Sequence, residues 1–198
     1  MQRIPLAMSL QKLTKPKANK VLGIDASTAS IAFCLFEDGK PTRYGKFPLV
    51  GSDIYDKIKD ANKKAKIISK MVQPDYVAVE SAIMVKSPDA GIKIAMVVGA
   101  ILSVILKPET GVVTVAPISW QSYIGNKNFT KAQKLEVEKE FPGKSAAWYK
   151  NKIREMRKQN TMDFFNNNFS TSITDNDAGD ATGIAYYAYK TLTERDNG

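Results

Sequence analysis

The stretch Val21-Leu22-Gly23-Ile24-Asp25-Ala26-Ser27-Thr28-Ala29-Ser30-Ile31-Ala32-Phe33-Cys34-Leu35-Phe36-Glu37-Asp38-Gly39-Lys40 decides the fold. Two apolar runs, residues 21–25 and 31–36, flank a small polar turn, and the first run ends in an acid. Short apolar runs bounded by turn residues read as buried strands. Asp38-Gly39 then marks a tight hairpin, because that pair accepts the positive φ such turns require. Residues 42–50 therefore supply a third strand, and the three form an antiparallel meander.

Working outward, Ile54, Ile58, Ala61, Ala65, Ile68 and Met71 recur every three or four residues, with lysines between them. That period predicts an amphipathic helix over 52–72, which Pro74 stops. Residues 76–79 read as a buried strand closing on Glu80. A second helix follows over 90–106, then a strand at 112–116 after the breakers Pro108 and Gly111. A short helix runs to residue 124 with Ser119 as its cap. The last helix begins near Asp177 and carries Ala181, Ile184, Ala185, Ala188 and Leu192 on one face. Strands alternating with helices in this order give an α/β fold, a five-stranded mixed sheet flanked by helices. Residues 143–174 read as a separate basic insert, with a polar loop at 166–172.

A chain of 198 residues fits one domain, here 21–198 behind a basic arm at 1–20. Twenty-nine Lys and Arg against 20 Asp and Glu leave a formal charge of +9 and a pI near 9.5. Such a balance favours a polyanionic partner. The first twenty residues carry Arg3, Lys12, Lys15, Lys17 and Lys20 and no acid. They read as a phosphate-touching arm, an organelle-targeting segment or a solvated tail. The single cysteine, Cys34, excludes an intramolecular disulfide and suits a reducing cytoplasm. The longest apolar run, 94–106, falls short of the ~18 residues of a membrane span. With no histidine in the chain, a His-based triad and a typical zinc site are excluded. Any catalytic metal must be held mainly by oxygen ligands, which points to magnesium or manganese.

Three places end a structural element in acid: Asp25, Glu80, and the pair Asp177 and Asp180. The last two lie three residues apart and share a helix face. Adjacent parallel strands place Asp25 beside Glu80, and a helix across them brings in the other two. Four carboxylates that close repel unless cations neutralise them. Two Mg2+ ions roughly 3.5–4 Å apart would do so and clamp a phosphate between them, with Mn2+ as a substitute.

These residues resemble the RuvC family of Holliday-junction resolvases, within the RNase H-like superfamily. Gly23-Ile24-Asp25 followed by Ile31-Ala32-Phe33 is similar to the family's opening. So is Gln73-Pro74-Asp75-Tyr76-Val77-Ala78-Val79-Glu80, with Met84 and Lys86 shortly after. Asp177-Ala178-Gly179-Asp180-Ala181 and its alanine-rich helix resemble the closing DxxDA motif. The resemblance covers residues 20–142 and 175–190. It implies a magnesium-dependent endonuclease that cuts four-way or branched DNA with two metals on Asp25, Glu80, Asp177 and Asp180. Thr130-Lys131-Ala132-Gln133 is similar to the segment that carries a catalytic lysine, which makes Lys131 the matching position. The apolar helix from Gly91 corresponds to one that pairs subunits, which implies a homodimer formed through Ile94, Val98, Ile101 and Ile105. Size and insert suit a phage-encoded enzyme, working in the cytoplasm of a bacterial or phage-infected cell.

The chain departs from the family in three ways. Ala26-Ser27-Thr28 stands where many members have Pro-Gly. Ile83 stands near the place where family members carry an aromatic that stacks on bases, and Tyr123 or Phe129 are the substitutes at hand. The stretch at 143–174 is longer than its counterpart and interleaves Trp148 and Tyr149 with cations. On a helix Lys150, Arg154, Arg157 and Lys158 share a face that can follow a phosphate backbone, with Trp148 stacking or anchoring the segment. The DNA-contact set is therefore Lys86, Lys127, Lys131, Lys134, Trp148, Lys150, Arg154, Arg157 and Lys158.

Two other readings stand beside this one. The same carboxylates serve nucleases that act on RNA–DNA hybrid, structured RNA or general branched DNA. Asp25-Ala26-Ser27-Thr28 also resembles the phosphate loop of sugar kinases and actin-like ATPases, which need a second domain.

Overall fold

The computed structural model describes residues 17–81 and 87–196. In chain order the elements are β1 (Lys20–Ala26), β2 (Ser30–Glu37), β3 (Lys40–Pro48), α1 (Ile54–Met71), β4 (Tyr76–Glu80), α2 (Pro88–Ile105), β5 (Gly111–Val115), α3 (Pro117–Tyr123), α4 (Lys131–Glu140), α5 (Ala146–Phe169) and α6 (Asn176–Asp196). The strands form one sheet in the order β3-β2-β1-β4-β5, antiparallel on the β3-β2-β1 side and parallel from β1 to β5. Asp38 and Gly39 both take positive φ, 50° and 83°, so the β2–β3 hairpin turns as Asp-Gly predicts.

Successive side chains on a strand point to opposite faces. Leu22, Ile24, Ile31, Phe33, Leu35, Val77 and Val79 face α1 and α2 and make the larger core. Val21, Ala32, Cys34, Phe36, Tyr76 and Ala78 face the other way, toward α6 and the helices beside it. Gly23 lies on this second face, and α6 rests directly on it. A Cβ there would lie 2.3 Å from Ala181 O and 2.6 Å from Ala185 N. This close approach brings the start of α6 down to the strand ends where Asp25 and Glu80 stand.

The structure corrects several expectations. Ala116 rather than Ser119 caps α3, and Pro117 occupies its first turn, where a missing N–H costs nothing. Residues 166–169 are the end of the 24-residue helix α5, not a loop; it stops at Ser170, which has φ 53°. The segment expected to stand apart joins the core, since Met162 and Phe165 are buried against α6.

α2 is long and apolar enough to cross a bilayer by length and composition, contrary to the count of its longest apolar run. Its buried residues are Val97, Ile101 and Ile105, which pack into the larger core. Ile101 and Ile105 are therefore core residues and not the pairing surface expected of them. The outward face carries Ile92, Ala95, Gly99 and Ser103, all exposed.

Candidate active site

The strand register assembles the acidic end of the sheet. β1 and β4 run parallel with Ile24 beside Val79, so their next residues, Asp25 and Glu80, end neighbouring strands. On the other side Asp25 pairs with Ala32 and Ala32 with Lys46, which puts Lys46 on the same rung and face as Asp25. α6 enters over this rung. Its first turn is held by Asp175, whose Oδ1 accepts the backbone N–H groups of Asp177 (2.9 Å) and Ala178 (3.0 Å). Asp177 and Asp180, three residues apart, then point into the strand ends. All four expected carboxylates are brought together.

Their electrostatics record that convergence. Burial first, then repulsion from Asp180, Glu80 and Asp177, pushes the Asp25 carboxyl up to about 7. Asp180 also rises to about 7, chiefly through burial and the Glu80 and Asp177 charges, against the pull of Lys158 and Arg154. Burial raises Glu80 as well, opposed by the Trp120 indole, whose Nε1 donates to Glu80 Oε1 at 3.1 Å. Trp120 is fully buried, and its ring fills the slot left by Gly183, where a Cβ would meet it at 2.4 Å. Asp177 behaves differently. Burial pushes it up, but the Lys46 hydrogen bond and charge, with Lys158, outweigh that and hold it below its ordinary value. Lys46 Nζ lies 2.7 Å from Asp177 Oδ2, Lys158 Nζ 3.6 Å from Oδ1, and the Ser30 hydroxyl 3.4 Å from Oδ2.

Hard carboxylate oxygens with excess negative charge are the donor chemistry that magnesium or manganese takes. Among the described residues, however, no three of these groups stand at the spacing of a closed metal site. Asp177 is held instead by the ammonium groups of Lys46 and Lys158.

Beside the carboxylates opens a cavity of about 690 Å3, lined by Asp180 at one end and by Lys134, Lys150, Arg154, Arg157 and Lys158. The expected cationic face of α5 is thus a single wall. Lys127 lines a smaller adjoining cavity formed by the loop at 125–130, Gln133 of α4 and Asn160 of α5. Lys131 is exposed at the first position of α4 and lines neither. Trp148 is not in the cavity wall; it packs on Phe141 (5.3 Å) and Tyr149 (5.5 Å), tying α5 to the end of α4. Tyr123 packs edge-on against Tyr186 and Tyr187. Lys86 and Ile83 lie outside the described residues, as do residues 1–16 of the basic arm.

Sequence reasoning missed Lys46, Ser30, Asp175 and Trp120 as neighbours of the acids, and assigned Lys158 to DNA contact alone. The rung Asp25–Ala32–Lys46 is the signal that finds Lys46 once the hairpin register is fixed.

No protein-family profile matches the chain, and no curated protein sequence does. Solved structures do match. The RuvC of Thermus thermophilus in complex with a Holliday junction substrate superposes with a TM-score of 0.61 at 12% identity, over 87% of this chain and 94% of that one. A second T. thermophilus RuvC structure gives 0.59 at 12% identity, over 90% and 96%. The yeast mitochondrial Holliday junction resolvase Ydc2 gives 0.47 at 15% identity, over 91% and 82%. By its sheet order, its flanking helices and the two Thermus superpositions, the chain has the RNase H-like fold of the RuvC resolvases.

Proposed function

We propose that this protein is a metal-dependent endonuclease that hydrolyses phosphodiester bonds in branched DNA, four-way junctions above all. The observation that carries this reading is the convergence of Asp25, Glu80, Asp177 and Asp180 beside a cation-lined cavity whose wall Asp180 shares. Asp25, Glu80, Asp177 and Asp180 would hold two Mg2+ or Mn2+ ions, which when bound activate water and neutralise phosphate charge.

The chain's own residues prepare that site. Trp120 fixes the Glu80 carboxylate through its indole N–H. Ser30 and Lys46 orient Asp177. Lys158 stands where a phosphate drawn to the carboxylates would meet its charge, and electrostatic help of this kind acts on the transition state. The resemblance assigns that role to Lys131, at the exposed start of α4. Lys127, Lys134, Lys150, Arg154 and Arg157 supply the positive surface along which a strand reaches the acids.

A homodimer fits a two-fold junction, because each subunit cuts one of two symmetric strands. The outward face of α2 suits such pairing. Ala95, Gly99 and Ser103 recur every four residues, and Gly99 faces open space, so a second helix can approach closely.

The test is a cleavage assay in magnesium on four-way, flap, RNA–DNA hybrid and linear substrates. Junction cleavage by the wild type is expected, with loss in Asp25→Asn, Glu80→Gln, Asp177→Asn and Asp180→Asn and DNA binding retained. Full turnover by Asp25→Asn, or cleavage of hybrid alone, overturns the reading.

A further inference from the structure

We infer that the cavity between α4, α5 and the loop at 124–130 is a pocket for one unpaired DNA nucleotide, with Phe129 stacking on its base. The inference rests on the nuclease reading and names the form of DNA that the site receives.

Size comes first. At about 690 Å3 the cavity lies within the range of small-ligand pockets and is far too narrow for a duplex. Its lining is divided by chemistry: Phe129 and Ile153 are apolar, Lys134, Lys150 and Arg154 are cations without a salt bridge among the described residues, and these with Arg157 and Lys158 outnumber the two acids, Glu138 and Asp180. An aromatic face beside unpaired cations is what a nucleotide needs, since every base has a π-face and every phosphate a charge. The other aromatics nearby are committed. Tyr149 donates its hydroxyl to Phe141 O at 2.6 Å and its ring meets Trp148. Phe129 is half-buried and has no ring partner among the described residues.

The wall of the cavity holds a second, independent mark. Asn126 is 7% exposed; its Nδ2 donates to Arg157 O at 2.7 Å and Thr161 Oγ1 at 2.9 Å. Its Oδ1 is buried with no partner, and so is Arg157 Nε. Unsatisfied buried polar atoms are rare and costly in a native protein, so each calls for a partner from outside the chain or a role that offsets its cost. One acceptor and one donor are thus left without a protein partner in two residues that line the cavity. Asp180 lines the same cavity, so a nucleotide bound there adjoins the carboxylates. Unpaired nucleotides occur in flaps and where pairs open at a branch point, not in continuous duplex.

The experiment uses DNA in EDTA, where no cleavage occurs. A branched DNA with 2-aminopurine at an unpaired position is titrated with the full-length wild type, Phe129→Leu and Phe129→Tyr. Leu keeps the apolar bulk without the ring, and Tyr restores the ring. Quenching of 2-aminopurine by the wild type and Phe129→Tyr is expected, with loss of quenching in Phe129→Leu. Phe129→Leu should bind this DNA roughly fivefold to a hundredfold more weakly, while affinity for a fully paired duplex changes less than about twofold. Equal weakening on both DNAs, no change on either, or no quenching by the wild type overturns the pocket. The nuclease reading is tested separately, by cleavage with Asp25→Asn, and can stand when the pocket fails.

Discussion

The ammonium of Lys46 lies 2.7 Å from Oδ2 of Asp177, although the two stand 131 positions apart in the chain. It also lies 3.2 Å from Asp175 Oδ2, so one lysine on an edge strand holds both acids at the start of α6. Within the four-carboxylate group Asp177 is the one held below its ordinary range, because it alone has this partner. Lys46 is a resident cation at a place where a divalent ion would compete.

That competition gives the first prediction. Lys46→Met, which keeps length and removes charge, should tighten Mn2+ binding to DNA-free protein by about tenfold. Lys46→Arg should leave it close to wild type. Electron paramagnetic resonance of free Mn2+ measures both, and an unchanged affinity in Lys46→Met refutes the competition.

The raised carboxyls predict an unusual pH dependence. Asp25 and Asp180 titrate near 7 in the fold against an ordinary value of 3.8, so the native state binds more protons than the unfolded chain between those limits. Stability of the metal-free protein should therefore fall as pH rises from about 4 to 7, with Glu80 contributing in the same sense. A loss of even 1 kcal/mol lowers Tm by roughly 2–4 °C in a chain of this size. Calorimetry at pH 5 and pH 8 should show the higher Tm at pH 5, and saturating Mg2+ should restore Tm at pH 8. A metal-free Tm that rises with pH across this window refutes the repulsion.

Much of this site was legible before the structure. An apolar strand closing on an acid is a local pattern, and so is a pair of acids three apart at the head of a helix. Asp25, Glu80, Asp177 and Asp180 followed from such patterns, as did all five strands. Lys46 did not, because a lysine in a polar edge strand looks solvated until the register across two neighbouring strands is known. The end of α5 was missed because Asn166, Asn167 and Asn168 favour turns locally, while burial of Met162 and Phe165 against α6 keeps the helix going. In α2 the phase was hidden by composition. A helix apolar on nearly every side has no visible inward face, and only packing shows that Val97, Ile101 and Ile105 point in.

That corrected phase changes how the dimer is tested. Substitution at Val98 would disturb the core it packs against, whereas Ala95 is exposed on the outward face. Ala95→Glu should convert a micromolar dimer to a monomer in sedimentation while leaving Tm within a few degrees. A wild type that sediments as a monomer, with junction cleavage intact, refutes pairing through α2.

The two candidate lysines separate on kinetics. Lys158 stands 3.6 Å from Asp177 Oδ1, and its charge bears on Asp25 and Asp180; Lys131 is exposed on α4 outside the cavity wall. If Lys158 stabilises charge that develops at the phosphate, Lys158→Ala lowers the single-turnover rate roughly tenfold to a thousandfold. Its junction affinity should change less than about tenfold, because one phosphate contact among many contributes little to binding. Lys131→Ala should do the reverse, weakening binding with a shallower salt dependence and leaving the rate nearly normal once DNA is saturating. Measuring rate and affinity on both variants decides between position and resemblance. A normal saturated rate in Lys158→Ala with a large loss in Lys131→Ala returns the catalytic role to Lys131, and requires the start of α4 to close on the carboxylates when DNA binds.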